Sequence, residues 1–243
     1  MPQLSPHAIV RVWEAGLAAE PLERALLMLG VACPDLAADE IQSLPVGARD
    51  ARLFRVHEDT FGSTLQAHAQ CVACGDRVEF ALEAGALLQQ PVDPPASPPL
   101  LEAGPFQIRY RLITTRDLLA ARTIGATDRG TALARSSVQQ ATRDGVAIDA
   151  TDVPDAVLLR LGDAIADADP NAAVTLQLAC PACGTKWEAS FDIVSFLWRK
   201  VAVEAQRLIT QVHLLARAYG WRETDVFAMS AVRRRAYLNL LGQ

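Results

Sequence analysis

Two five-residue stretches, Cys-Val-Ala-Cys-Gly at 71–75 and Cys-Pro-Ala-Cys-Gly at 180–184, constrain this chain more than any other feature in it. Cysteines two residues apart present two sulfurs on one side of a tight bend. The glycine behind each pair allows the positive φ that such a reversal requires. Laying Cys71 on Cys180 brings Gly75 onto Gly184, Val78 onto Trp187 and Glu79 onto Glu188. Segments 44–62 and 153–170, ahead of the two motifs, carry the apolar spacing of amphipathic helices. The chain is therefore expected to contain an internal duplication of helix, strand, Cys-x-x-Cys knuckle and strand.

A structural zinc ion takes four thiolate or imidazole ligands in a tetrahedron, and two knuckles supply four. Cys71, Cys74, Cys180 and Cys183 are the expected ligands of one zinc, which would clamp the repeats together across the 105 residues between Cys74 and Cys180. Two other readings stay open. A redox pair needs a Cys-x-x-Cys that opens a helix, where the helix terminus lowers the thiol pKa, whereas the segments Asp-Arg-Val-Glu-Phe and Thr-Lys-Trp-Glu-Ala-Ser-Phe that follow read as strands. Structural disulfides suit an oxidising compartment. His68, three residues before Cys71, is a possible substitute ligand, but strand alternation turns it toward solvent. Cys33, before Pro34 at a helix exit, reads as a small buried hydrophobe. His213 falls on a helix as a packed or capped residue, and His7 and His57 suggest no role.

With 243 residues, 51% of them hydrophobic, the chain can bury a sizeable core in one or two domains. It has no G-x-S-x-G elbow, Walker loop, H-E-x-x-H pair or G-x-G-x-x-G fingerprint, so no catalytic residues are expected. A net charge of −5 and only two lysines weigh against a dedicated nucleic-acid binder. The charge is uneven: residues 136–192 carry nine acids against three bases, and residues 199–243 carry eight bases against three acids. That asymmetry suits a docking surface or attraction within the molecule. Arg11 and Glu14 interrupt the opening segment, which reads as a helix capped by Ser5 with Pro6 in its first turn. Nowhere do eighteen apolar residues run together, so no membrane span is expected and a cytoplasmic location is the default.

Six prolines within residues 91–105 read as a linker between a first segment, 1–90, and a second repeat, 106–191. The second repeat begins with a strand at Phe106, where apolar and polar residues alternate, followed by a helix from Thr114. Residues 192–243 form a helical C-terminal segment. In it Val194, Leu197, Val201, Ala205, Leu208, Val212, Leu215 and Tyr219 recur at helical spacing between an Asp192 cap and a Gly220 stop. Ser230 caps a last helix, on which Arg233, Arg234 and Arg235 point in three directions. The expected fold class is α+β, with two zinc-ribbon-like repeats sharing one zinc.

Residues 180–241 carry a resemblance. The Cys-Pro-x-Cys-Gly knuckle, the Phe-Asp-Ile and Phe-Leu-Trp helix start, the Val-His-Leu-Leu-Ala-Arg-Ala-Tyr-Gly-Trp helix end and the Met-Ser-Ala-Val-Arg-Arg-Arg-Ala-Tyr-Leu close are similar to the ending of bacterial proteins of contractile phage-tail-like injection systems. Those proteins are grouped with the baseplate hub assembly chaperones of contractile-tailed phages. The resemblance weakens toward the N-terminus, and Val72 stands where the pattern has proline. It implies a non-enzymatic assembly chaperone or minor baseplate component, with baseplate, hub or tube proteins as partners and no catalytic residues to carry over. Trp198, Trp221, Arg233, Arg234 and Arg235 are the expected partner-binding residues. A zinc-ribbon regulator associated with nucleic acid is the alternative.

Overall fold

In the computed structural model, which describes residues 3–88 and 98–241, helix ends fall where capping chemistry puts them. Helix α1 (Pro6–Gly16) begins with the Ser5 side chain accepting from the Ala8 amide, and its first-turn proline lacks only an N–H that would have no partner in the helix. Helix α2 (Pro21–Ala32) follows and ends at Cys33, which is buried as expected. Next come α3 (Ala38–Ser43) and α4 (Val46–Phe61), the latter stopped by Gly62 at φ 99°. Strands β1 (Thr64–Gln70) and β2 (Arg77–Glu83) pair as an antiparallel hairpin.

The middle of the chain forms a four-stranded antiparallel sheet of β3 (Leu100–Ala103), β4 (Phe106–Tyr110), β5 (Val138–Arg143) and β6 (Val146–Ile148), in that order. Helices α5 (Thr115–Ala120) and α6 (Ala126–Ser137) lie between β4 and β5 in the chain. Helix α7 (Asp155–Ala168) leads to a second hairpin, β7 (Thr175–Ala179) with β8 (Lys186–Ser190). The chain closes with α8 (Ile193–Tyr219), α9 (Glu223–Ala228) and α10 (Ala231–Leu241). The fold class is thus α+β, and each cysteine motif sits at the turn of a hairpin that a helix precedes.

Among the described residues two large apolar cores form besides the small cluster at the cysteine turns, and they cut across the segments expected from the sequence. The first gathers Val12 of α1, Met28 of α2, Phe54 of α4, Leu65 of β1, Leu176 of β7 and Leu197 of α8. The second gathers Ile108, Tyr110, Leu158 and Leu161 from the four-stranded sheet and α7. Residues 106–191 are therefore not one unit. The second hairpin leaves the core of its own preceding sheet, because the inward face carrying Leu176 and Leu178 is covered by the first core instead.

The long helix α8 binds that first core together. Asp192 accepts from the Val194 and Ser195 amides at its start, and Gly220 ends it at φ 69°. Gly16 lets α1 approach α8 closely, since a Cβ there would fall 2.5 Å from the Trp198 ring.

The cores meet at the start of α4. The Val46 amide donates to the Ile113 carbonyl at 2.9 Å, and the Gly47 amide donates to Asp169 Oδ2 at 2.9 Å. Beside them the buried Arg49 donates to Asp50 at 2.7 Å and to Thr115 Oγ1 at 3.2 Å. Burial raises the Asp50 carboxyl above the usual carboxylate range, against the lowering effect of Arg49.

Other expectations are corrected in detail. Of the stretch expected to be a linker, residues 91–97 lie outside the described residues, whereas Leu100–Ala103 form β3 and pair with β4. An edge strand tolerates nearby prolines because one side of it needs no donors. His213 is exposed rather than packed, and His57 is fully buried. Among the described residues no helix is long and apolar enough to cross a membrane.

Candidate metal site

Both knuckles are built by the same backbone bonds. The Cys71 amide donates to the Asp76 carbonyl and the Gly75 amide to the Cys71 carbonyl; the Cys180 amide donates to the Thr185 carbonyl and the Gly184 amide to the Cys180 carbonyl. Gly75 at φ 75° and Gly184 at φ 73° occupy the left-handed region, where a side chain would be strained. Val72 replaces the proline of the second knuckle without changing this geometry, because its position needs no special φ.

The hairpins bring the two turns together. Cys71 Sγ lies 3.7 Å from Cys183 Sγ, and Cys74 Sγ lies 3.7 Å from Cys180 Sγ. All four sulfurs fall within 4.8 Å of one another, so these four cysteines could hold a metal ion. The closest approaches are far longer than a disulfide bond of about 2.0 Å, and all four thiols are free. Each knuckle contributes one buried cysteine, Cys71 or Cys180, and one exposed cysteine, Cys74 or Cys183. Val78 of one hairpin and Trp187 of the other, which occupy equivalent places after their cysteine pairs, pack against the two buried cysteines.

Local hydrogen-bond donors lower the thiol pKa of Cys71 and Cys183. The backbone amides of Cys74 and Ala73 lower the pKa of Cys71. The Thr185 hydroxyl, then the Thr185 amide, then the neighbouring Cys74 pull Cys183 down to about 6. Cys74 has an amide donor in Asp76 that favours its thiolate, yet Cys183 and Cys71 beside it push its thiol up to about 12. Four sulfurs this close repel one another as anions, and a bound cation removes that repulsion and deprotonates its ligands.

His68 points to solvent from β1 and is not among the clustered ligands. The expected partner-binding residues fare differently from one another. Arg234 is only 4% exposed, donating to Gln211 Oε1 and to the Met229 carbonyl, so the helix turns it inward against α8 and it is corrected from a surface contact to an internal one. Trp198 is half-buried, packing on Gly16 with the Arg24 guanidinium 4.4 Å above its ring. Trp221 stacks on Tyr219 with ring centres 4.5 Å apart and meets Tyr237 edge-on at 4.8 Å. Arg233 and Arg235 remain exposed.

Sequence reasoning missed the buried Arg49–Asp50 pair and His57. Neither has a sequence signal, since both lie on an ordinary amphipathic helix. Comparison of the chain with family models, with curated proteins and with solved structures finds no match.

Proposed function

We propose that this protein is a non-enzymatic assembly factor or minor structural component of the baseplate of a contractile phage-tail-like injection system, stabilised by one structural zinc. The observation that carries the metal half of this reading is the four-sulfur cluster. Tetrahedral zinc–thiolate bonds of about 2.3 Å give sulfur–sulfur edges of about 3.8 Å, close to the 3.7 Å separations of the two cross-repeat pairs. Four thiolates leave no position for water or substrate, which fits a structural rather than a catalytic ion. In this reading the two hairpins are zinc-ribbon-like repeats, and the metal ties two stretches of the first core whose sequences are far apart.

The injection-system half rests on the resemblance of residues 180–241. It is supported by the C-terminal surface: Val232, Leu240 and Leu241 are exposed beside Arg233 and Arg235 on α10, a mixture suited to protein contact. Purifying the tagged protein from its native host and identifying what accompanies it tests this half. Baseplate, hub or tube subunits are the expected companions, and their presence in sedimented particles distinguishes a component from a chaperone. Polymerase subunits or nucleic acid in their place would favour the zinc-ribbon regulator, and normal firing-competent particles in a deletion strain would refute the assembly role.

A further inference from the structure

Away from the knuckles, a cleft of about 470 Å3 opens between the stems of the two hairpins and the first turns of α8. Residues 66–69 form one wall and residues 189–191 another. Side chains of a strand alternate between faces, so four consecutive residues line one cleft only along the strand's edge.

The backbone bonds show which groups that edge presents. In the first hairpin the Cys71 amide donates to Asp76 and the Ala84 amide to Ser63, which fixes the phase of the ladder. Odd-numbered residues of β1 bond to β2, and Gln66 and His68 turn N–H and C=O outward. In the second hairpin the Cys180 to Thr185 and Phe191 to Val174 bonds likewise leave Glu188 and Ser190 of β8 facing outward. Both hairpins are two-stranded sheets, so among the described residues these edges have no neighbouring strand.

Chemistry inside the cleft narrows the occupant. Phe80, Leu176 and Phe196 give it an apolar lining, while Arg199 and Lys200 of α8 put two cations at its side. The Lys200 ammonium lies 5.6 Å from the Phe196 ring centre. The carboxylate that also lines the cleft, Asp192, is engaged in capping α8. We propose that this cleft binds an extended acidic segment of a partner protein, which adds a strand to the β1 edge and sets a carboxylate against Arg199 and Lys200. Open strand edges supply backbone pairing and the cations supply charge selection, the two elements of recognition by strand addition. Single-stranded nucleic acid suits the cleft less well, because it needs a track of cations along the backbone, whereas Arg199 and Lys200 are neighbours at one side of the cleft. This proposal does not depend on the baseplate assignment.

Fluorescence anisotropy on the full-length protein tests it. The probe is a fluorescein-labelled ten-residue peptide of alternating valine and threonine carrying three glutamates. The comparison probes carry lysine for glutamate, or proline at two strand positions, and a ten-nucleotide thymidine oligomer is a fourth. The acidic peptide is expected to bind, with a loss of about tenfold or more in the lysine and proline peptides and in an Arg199→Gln/Lys200→Gln variant. Amide exchange at Gln66 and His68 should slow on binding, a change that charge attraction without strand pairing does not produce. Arg199 is exposed and Lys200 half-buried, so circular dichroism should show the variant folded. No binding of the acidic peptide at about 1 mM, equal binding of the proline peptide, unchanged exchange at both amides, or preference for the oligonucleotide would overturn the proposal.

Discussion

If the four cysteines hold a zinc ion as proposed, removing it should lower the melting temperature far more than an ordinary surface change does. A metal on the cluster would tie Cys74 to Cys180, and each knuckle alone already holds two sulfurs near one another. Local chelation by one knuckle survives unfolding; what the complete site adds is closure of the long loop between knuckles. A cross-link closing a loop of about 100 residues removes roughly 5 kcal/mol of chain freedom from the unfolded state. The second core lies within that loop, and because closure cost grows only logarithmically with length, its staying folded would change the figure little. For a chain of this size each kcal/mol moves the midpoint by about 2–4 °C, so the stripped protein should melt roughly 10–20 °C lower. The assay is differential scanning calorimetry of the zinc-loaded and chelator-treated protein, with re-addition of zinc as the control. A shift under about 2 °C, or one that Cys71→Ser/Cys74→Ser protein shows equally, would mean that the two hairpins are not cross-linked through metal.

Three further outcomes follow from the packing. Burial first, then the Lys200 charge, holds the pKa of the fully buried His57 below the usual histidine range, against a backbone interaction with Gly62 that raises it. Its neutral form therefore favours the fold above about pH 6.5, and that contribution is lost as pH falls, by up to about 1.4 kcal/mol per pH unit; subtracting the denaturation curves of His57→Leu from those of the parent should reveal this slope, and identical pH dependence would refute it. Gly16→Ala drives a methyl into Trp198 and should cost about 1–3 kcal/mol in urea denaturation, less when Trp198 is also replaced by leucine; equal costs in both backgrounds would exclude this contact as the cause. Gly184→Ala forces a side chain to φ 73° and should cost about 1–2 kcal/mol while weakening zinc binding in a competition titration; a neutral effect on both would contradict the knuckle geometry.

The candidate site was legible in the sequence because its parts are local. Each knuckle needs a Cys-x-x-Cys bend and a glycine at positive φ, and both leave a written trace at 71–75 and 180–184. Helix ends were legible for the same reason, as Ser5, Asp192, Gly220 and Ser230 show. What joins distant elements left no such trace. Nothing in residues 153–190 announces that the second hairpin abandons the second core for α4 and α8, because Leu176 alternates with polar neighbours as any half-buried strand does. The four-stranded sheet is written only partly: β3 sits beside a proline-rich stretch that masks it, whereas the β5–β6 hairpin turns at Asp144-Gly145, both at positive φ, a dipeptide that is itself a hairpin signature. Arg234 looked like surface because arginine usually is; only the approach of α10 to α8 buries it.

The metal content of the protein, purified without affinity resins that carry metal, tests the proposed zinc site most directly. Native mass spectrometry with elemental analysis should find one zinc per chain, falling below about half an equivalent in Cys180→Ser. Less than about half an equivalent of zinc in the parent chain, or the same content in both proteins, would contradict it.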